Sequence, residues 1–137
     1  SGEAVSFNPE AGTALELWLR PSQSEASLSF IGAEIQRERR THFGRYEVEM
    51  QAAPGDGVIS SFFTYTGPFF GDDHDEIDFE FLGRDTTKVW INRFAKGRRL
   101  PGIWLDLGFD RWHKSIYLRL AARQLDMVRK RARIAPH

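Results

Sequence analysis

Hydrophobic and polar positions alternate along this chain in short runs broken by turn residues, the pattern of a molecule built from half-buried β-strands. Ala4–Phe7 and Thr13–Leu19 read as two short strands around the turn Asn8-Pro9-Glu10-Ala11-Gly12, with Leu15, Leu17 and Leu19 on a core face. The polar, serine-rich stretch Pro21–Ser29 reads as a loop, and Ala33–Arg37 as a strand with Glu34 and Gln36 on one face. Phe43–Met50 is a clear strand, with Tyr46, Val48 and Met50 inward and Arg45, Glu47 and Glu49 outward. After the tight turn Pro54-Gly55-Asp56-Gly57, Val58–Tyr65 is apolar enough to be a central strand buried on both sides. Gly67–Asp73 is a loop, Val89–Phe94 a strand, Lys96–Pro101 a basic turn, and Ile103–Phe109 a last strand before Asp110-Arg111-Trp112.

The sharpest alternation is Asp75-Glu76-Ile77-Asp78-Phe79-Glu80-Phe81-Leu82-Gly83. A strand here puts Glu76, Asp78 and Glu80 on one face and Ile77, Phe79 and Phe81 in a core. Three carboxylates on one face repel each other, and acids are poor strand formers, so stability alone does not favour the pattern. Hydrolysis of a glycosidic bond with retention does, because it needs a nucleophilic carboxylate and a second acting as general acid and base, about 5–5.5 Å apart. At about 3.3 Å per residue, Glu76 and Glu80 are roughly 13 Å apart along the backbone, so their side chains must lean together across a curved sheet. Asp78 then lies within hydrogen-bond reach of both. Crowded like charges raise at least one pKa, and the three titrate as a coupled set. A solvated acidic strand or a cation site is the alternative that such a short motif leaves open.

Composition bounds the rest. One hundred and thirty-seven residues make one domain with room for one core, and 41% hydrophobic content with 13% aromatic is that of a folded chain. With no cysteine, disulfides play no part and the redox compartment is not legible; no apolar run is long enough to span a membrane. The chain starts Ser1-Gly2-Glu3 without methionine, which is compatible with a removed signal peptide. The charge run Arg37-Glu38-Arg39-Arg40 reads as an exposed edge and not a nucleic-acid patch, which would need more charge interleaved with aromatics. The net charge of zero hides a division: after Trp112, Lys114, Arg119, Arg123, Arg129, Lys130, Arg131 and Arg133 stand against Asp126 alone. The expectation is a domain over 1–112 and a basic tail over 113–137. Within the tail, Leu118, Ala121, Leu125 and Val128 give Ile116–Arg133 the spacing of a basic amphipathic helix, either solvated or bound to an anionic surface.

The runs Ser60–Pro68 and Phe81–Val89, flanking the acidic strand, resemble the bacterial lichenases (endo-β-1,3-1,4-glucanases) of glycoside hydrolase family 16, and the rhizobial exopolysaccharide-cleaving glycanases of that family. The resemblance extends from about Val5 to about Trp112. It implies an all-β, concanavalin-like β-jelly-roll sandwich, here incomplete, with a retaining mechanism. By matching positions Glu76 is the nucleophile, Glu80 the acid/base and Asp78 the residue that orients and tunes them. Sugar contacts are expected from Glu34, Tyr65, Trp90 and Asn92, with His74 where lichenases commonly carry an aromatic residue. Trp90 is either a stacking platform or a packing residue, and His74 is a cleft-rim residue more readily than a metal ligand.

The expected substrate is β-glucan or a bacterial exopolysaccharide, with no nucleic-acid partner and a monomeric chain, secreted or periplasmic. A carbohydrate-binding fragment impaired in turnover and a transglycosylase are the alternatives. No cofactor is required and no metal ligand set is legible, although some family members hold a structural calcium. Beyond Trp112 the family has a strand, Tyr-x-Phe-Asp-Trp-x-Pro, where this chain has its basic tail. Shifting the frame of Leu118–Arg131 forward by one base allows codons for Phe-Asp-Trp-Gln-Pro-Asp-Ser-Leu-Ile-Trp-Tyr-Val-Asn-Gly, so the tail is expected to be a frameshifted end.

Overall fold

A computed structural model describes residues 4–8, 10, 14–22, 29–37, 39–109 and 116–122. The chain forms two compact units, Ser1–Thr41 and His42–His137.

In the first unit β1 (Val5–Asn8) pairs antiparallel with β2 (Ala14–Leu17), and β3 (Arg20–Pro21) with β4 (Phe30–Ile31). Ser6 Oγ donates to Glu16 Oε2 at 3.1 Å and accepts Trp18 Nε1 at 2.8 Å, so polar side chains fasten the first hairpin. The leucine face expected to enter a core is exposed: Leu15, Leu17 and Leu19 keep 42%, 51% and 48% of their surface. A hairpin has two faces and no second layer of its own, so alternation alone does not bury either one. Residues 33–37 are not a strand, contrary to the alternation there. The pairing lies earlier, Pro21 opposite Phe30 and Arg20 opposite Ile31, and no partner strand runs beside 33–37 among the described residues.

The second unit is a β-sandwich. Its larger sheet is antiparallel in the order β10 (Ile103–Asp106), β8 (Lys88–Ala95), β7 (Asp75–Leu82), β6 (Ile59–Thr66), with β9 (Arg98–Arg99) also paired to β8. The smaller sheet pairs β5 (Gly44–Met50) with β11 (Ile116–Ala122). Phe79, Phe81, Val89 and Leu107 meet Ile116 and Leu118 in one core, joined by Tyr46, Val48, Met50, Phe62, Ile77, Ile91 and Leu105. The inward positions read from the sequence on β5 and β7 are the ones found in that core.

Two elements depart from expectation. Ile116–Ala122 is a strand, not the start of a helix. Ile116 and Leu118 are buried at alternate positions opposite Met50 and Val48, and burial against a ready edge outweighs the weak helical spacing. The remainder of the helical and frameshift readings, 123–133, lies outside the described residues. The other departure is β6, which is buried on one side only: Phe62 stacks on Phe79 at 6.5 Å, while Ser61, Phe63 and Tyr65 are exposed. Their face is the one that carries the acids of β7.

Two turns set the register. Lys96 and Gly97, at φ 50° and 75°, form the two-residue turn between β8 and β9, the doubly left-handed geometry favoured in tight hairpins. Gly83, just past β7, donates its N–H to Val58 O at 2.8 Å, and its carbonyl accepts Gly55 N–H at 3.0 Å. A Cβ at Gly83 would lie 2.4 Å from Gly55 O and 2.9 Å from Ala53 O, so only glycine fits against that backbone.

Candidate active site

The strand register assembles the site. Glu76, Asp78 and Glu80 share one face of β7; opposite them on β8 stand Phe94, Asn92 and Trp90, and on β6 Tyr65, Phe63 and Ser61. Trp104 of β10 continues the row opposite Trp90. Carboxylates along the middle strand are thus flanked by aromatic residues on both sides.

Asp78 is buried to 7% exposure at the centre. Its pKa is pushed up to about 7 by burial first, then by the Glu76 charge, a hydrogen bond shared with Glu76, and the Glu80 charge; a hydrogen bond from Asn92 opposes the rise. Near neutral pH Asp78 therefore carries a proton much of the time, and as a neutral acid it donates to Glu76. Arg99 Nε donates to Asn92 Oδ1 at 3.3 Å, which leaves the Asn92 amide nitrogen to face Asp78.

At the start of the strand, His74 Nε2 lies 2.6 Å from Glu76 Oε2. The imidazole stacks on Phe94 with centroids 4.4 Å apart and planes at 20°, and it meets Tyr65 at 5.4 Å. The β8–β9 turn holds this segment: Gly97 N–H donates to His74 O at 2.9 Å and Lys96 N–H to Asp75 Oδ1 at 2.7 Å. At the other end, Trp90 and Trp104 pair at 5.0 Å. Gly102 lies under the Trp90 indole, where a Cβ would come within 2.1 Å of the ring.

Of the residues singled out in the sequence, Glu76, Asp78, Glu80, Tyr65, His74, Trp90 and Asn92 are brought together on this one sheet. Glu34 belongs to the first unit, where Gln36 Nε2 donates to its Oε1 at 2.7 Å. Sequence reasoning missed Phe63, Phe94, Trp104 and Arg99. Phe94 was within reach, since it shares the parity of Trp90 and Asn92; Trp104 and Arg99 depend on the register that turns impose. Among the described residues no three His, Cys, Asp or Glu side chains are grouped to hold a metal ion.

A β-sandwich with a row of three acids on one sheet face defines a class, and the comparison with known families agrees: residues 2–114 match the model of glycosyl hydrolases family 16, and the chain belongs to that family. Within it, the chain is 54% identical over 68 residues to the beta-glucanase of Bacillus amyloliquefaciens, covering 50% of this chain and 28% of that one. It is 42% identical over 93 residues to a xylanase/beta-glucanase of Ruminococcus flavefaciens, covering 68% of this chain and 12% of the relative. The solved Bacillus licheniformis beta-glucanase superposes with a TM-score of 0.76 at 36% identity, over 87% of this chain and 53% of that structure. The chain thus spans about half of its solved relative, and less of the curated ones. Among the described residues no helix is long and apolar enough to cross a membrane.

Proposed function

We propose that this chain carries the catalytic strand of an endo-acting, retaining β-glucan hydrolase. The observation that carries the reading is Asp78, nearly buried between Glu76 and Glu80 on one strand face and raised to about 7 by that burial first and then by the two glutamates. Glu76 attacks the anomeric carbon while Glu80 protonates the departing glycosidic oxygen; Glu80 then takes a proton from water, which releases the sugar from Glu76. Protonated Asp78 spares the site a third negative charge and fixes the Glu76 carboxylate by a hydrogen bond.

Trp90 and Tyr65 offer faces on which sugar C–H groups stack, and Asn92 and His74 line the same face. The substrate is a β-1,3-1,4-linked glucan or a related exopolysaccharide, a polymer that is met outside the cytoplasm. The beta-glucanase relatives support this substrate class.

The test is reducing-end release from mixed-linkage β-glucan by the wild type and Glu76→Gln, with binding followed in parallel. Hydrolysis by the wild type alone is expected. Binding by both without hydrolysis by either would replace the enzyme with a carbohydrate-binding module, a reading that the exposed Tyr65 and Trp104 on the acid face favour.

A further inference from the structure

His74 stands in the sequence as a rim residue, one of several expected to touch sugar. Its geometry is more specific. The Nε2 atom sits 2.6 Å from Glu76 Oε2, and both side chains are mostly covered, at 28% and 21% exposure. A carboxylate accepts hydrogen bonds and cannot donate, so the hydrogen lies on Nε2. The ring is not free to turn away: Phe94 stacks on one side, Tyr65 leans against it, and the His74 carbonyl is held by Gly97 N–H. Glu76 therefore receives two donors, His74 and the acid form of Asp78.

We infer that His74 is a positioning residue for Glu76: its Nε2–H, locked by the Phe94–Tyr65 ring contacts, holds the carboxylate in the rotamer from which it attacks the sugar. This rests on the reading of Glu76 as nucleophile, and deepens it. Two donors bonding the same carboxylate restrict rotation about its last torsions, which otherwise leaves a glutamate on an open sheet face free to sample several wells. An attacking group held within a fraction of an ångström and the correct angle contributes to rate without adding affinity. The consequence is a split: losing the donor slows bond formation and leaves substrate binding nearly as it was. A phenylalanine at position 74 would keep a ring beside Phe94 but has no hydrogen to donate to Glu76.

The experiment separates the donor from the ring. His74→Phe keeps the stack on Phe94 and removes the hydrogen; His74→Gln loses the ring and places an amide N–H near the Nε2 position; His74→Asn has an amide too short to reach it. Each is measured with the wild type and Glu76→Gln, using kcat and KM on mixed-linkage β-glucan. The rate of ester formation on Glu76 by a β-oligoglucoside bearing a terminal epoxide is read by peptide mass spectrometry.

The expected result is a roughly 10- to 100-fold loss of kcat and labelling rate in His74→Phe, the worth of one hydrogen bond to a charged group, with KM within about twofold. His74→Gln recovers most of the rate and His74→Asn does not. If His74→Phe does not fold, the Gln–Asn comparison carries the same information, and equal rates in the two overturn the inference. Wild-type kcat in His74→Phe, with Glu76→Gln inactive, overturns His74 alone. Activity retained by Glu76→Gln, label on another residue, or no turnover and no label in the wild type, overturns the nucleophile reading and this inference with it.

Discussion

Asn92 faces Asp78 across the β7–β8 pair and donates to its carboxylate, pulling its pKa down against burial and two neighbouring glutamates that push it up. The balance leaves Asp78 near 7, far above the ordinary 3.8 of an aspartate. Arg99 sets the direction of the Asn92 amide, so a line of contacts runs from the β9 hairpin to the candidate nucleophile.

Because the folded pKa of Asp78 is raised, the folded chain keeps a proton that the unfolded chain releases. The associated stability is fully present below pH 4 and is lost as pH rises toward about 7. Allowing for partial solvation, the loss is about 2 kcal/mol. Urea unfolding midpoints between pH 4 and 8 should fall more steeply for the wild type than for Asp78→Asn, whose amide mimics the neutral acid and does not titrate.

In the proposed mechanism Glu80→Ala removes the proton that the leaving oxygen needs. The rate on β-glucan should fall by about 10²–10⁴, while a dinitrophenyl β-glycoside, whose phenolate leaves unaided, should react with a far smaller loss of its first step. Burst-phase kinetics on the two substrates check this, and equal losses on both would exclude Glu80 as the acid.

Trp104, 49% exposed beside Trp90, extends the apolar platform past Glu80. Trp104→Ala should weaken oligosaccharide binding by about 0.5–1.5 kcal/mol, several-fold in Kd. Gly102→Ala should do the same with every aromatic residue still in place in the sequence, because its Cβ would collide with the Trp90 ring and displace it. Isothermal titration with a β-glucan oligosaccharide measures both.

Asp85 caps the turn between β7 and β8: its carboxylate accepts Thr87 Oγ1–H and Thr87 N–H, and Lys88 Nζ lies 3.0 Å from it. The Thr87 hydroxyl and then Lys88 hold its pKa down at about 2, so its contribution is present above the ordinary 3.8 and disappears as pH falls through about 2. Asp85→Asn should unfold at lower urea than the wild type at pH 7, and the gap should close in acid.

The acidic strand was legible in the sequence because alternation of charge and phenylalanine over 75–81 admits one physical answer: a sheet with one dry face. The β5 core face was legible for the same reason. Alternation at Leu15, Leu17 and Leu19 misled, since periodicity names a face and says nothing of what covers it. On β6 the apolar residues read as burial on both sides, yet one side is exposed; Phe63 looks like a core residue until β7 shows which way it points. The β11 segment carried both periods, and pairing with β5 decided between them. Arg99 was silent, and His74 was read only as a rim residue, because their contacts to Asn92 and to Glu76 are encoded by no spacing.

Gly83 gives the acid row a guard against slippage. Pinned between Gly55 and Val58, it locks one end of the β6–β7 ladder; a shift of one place would swing the acids into the oily interior and turn the phenylalanines outward. A hydrogen-sized side chain at the strand's far end thereby keeps the chemistry on the wet side of the sheet.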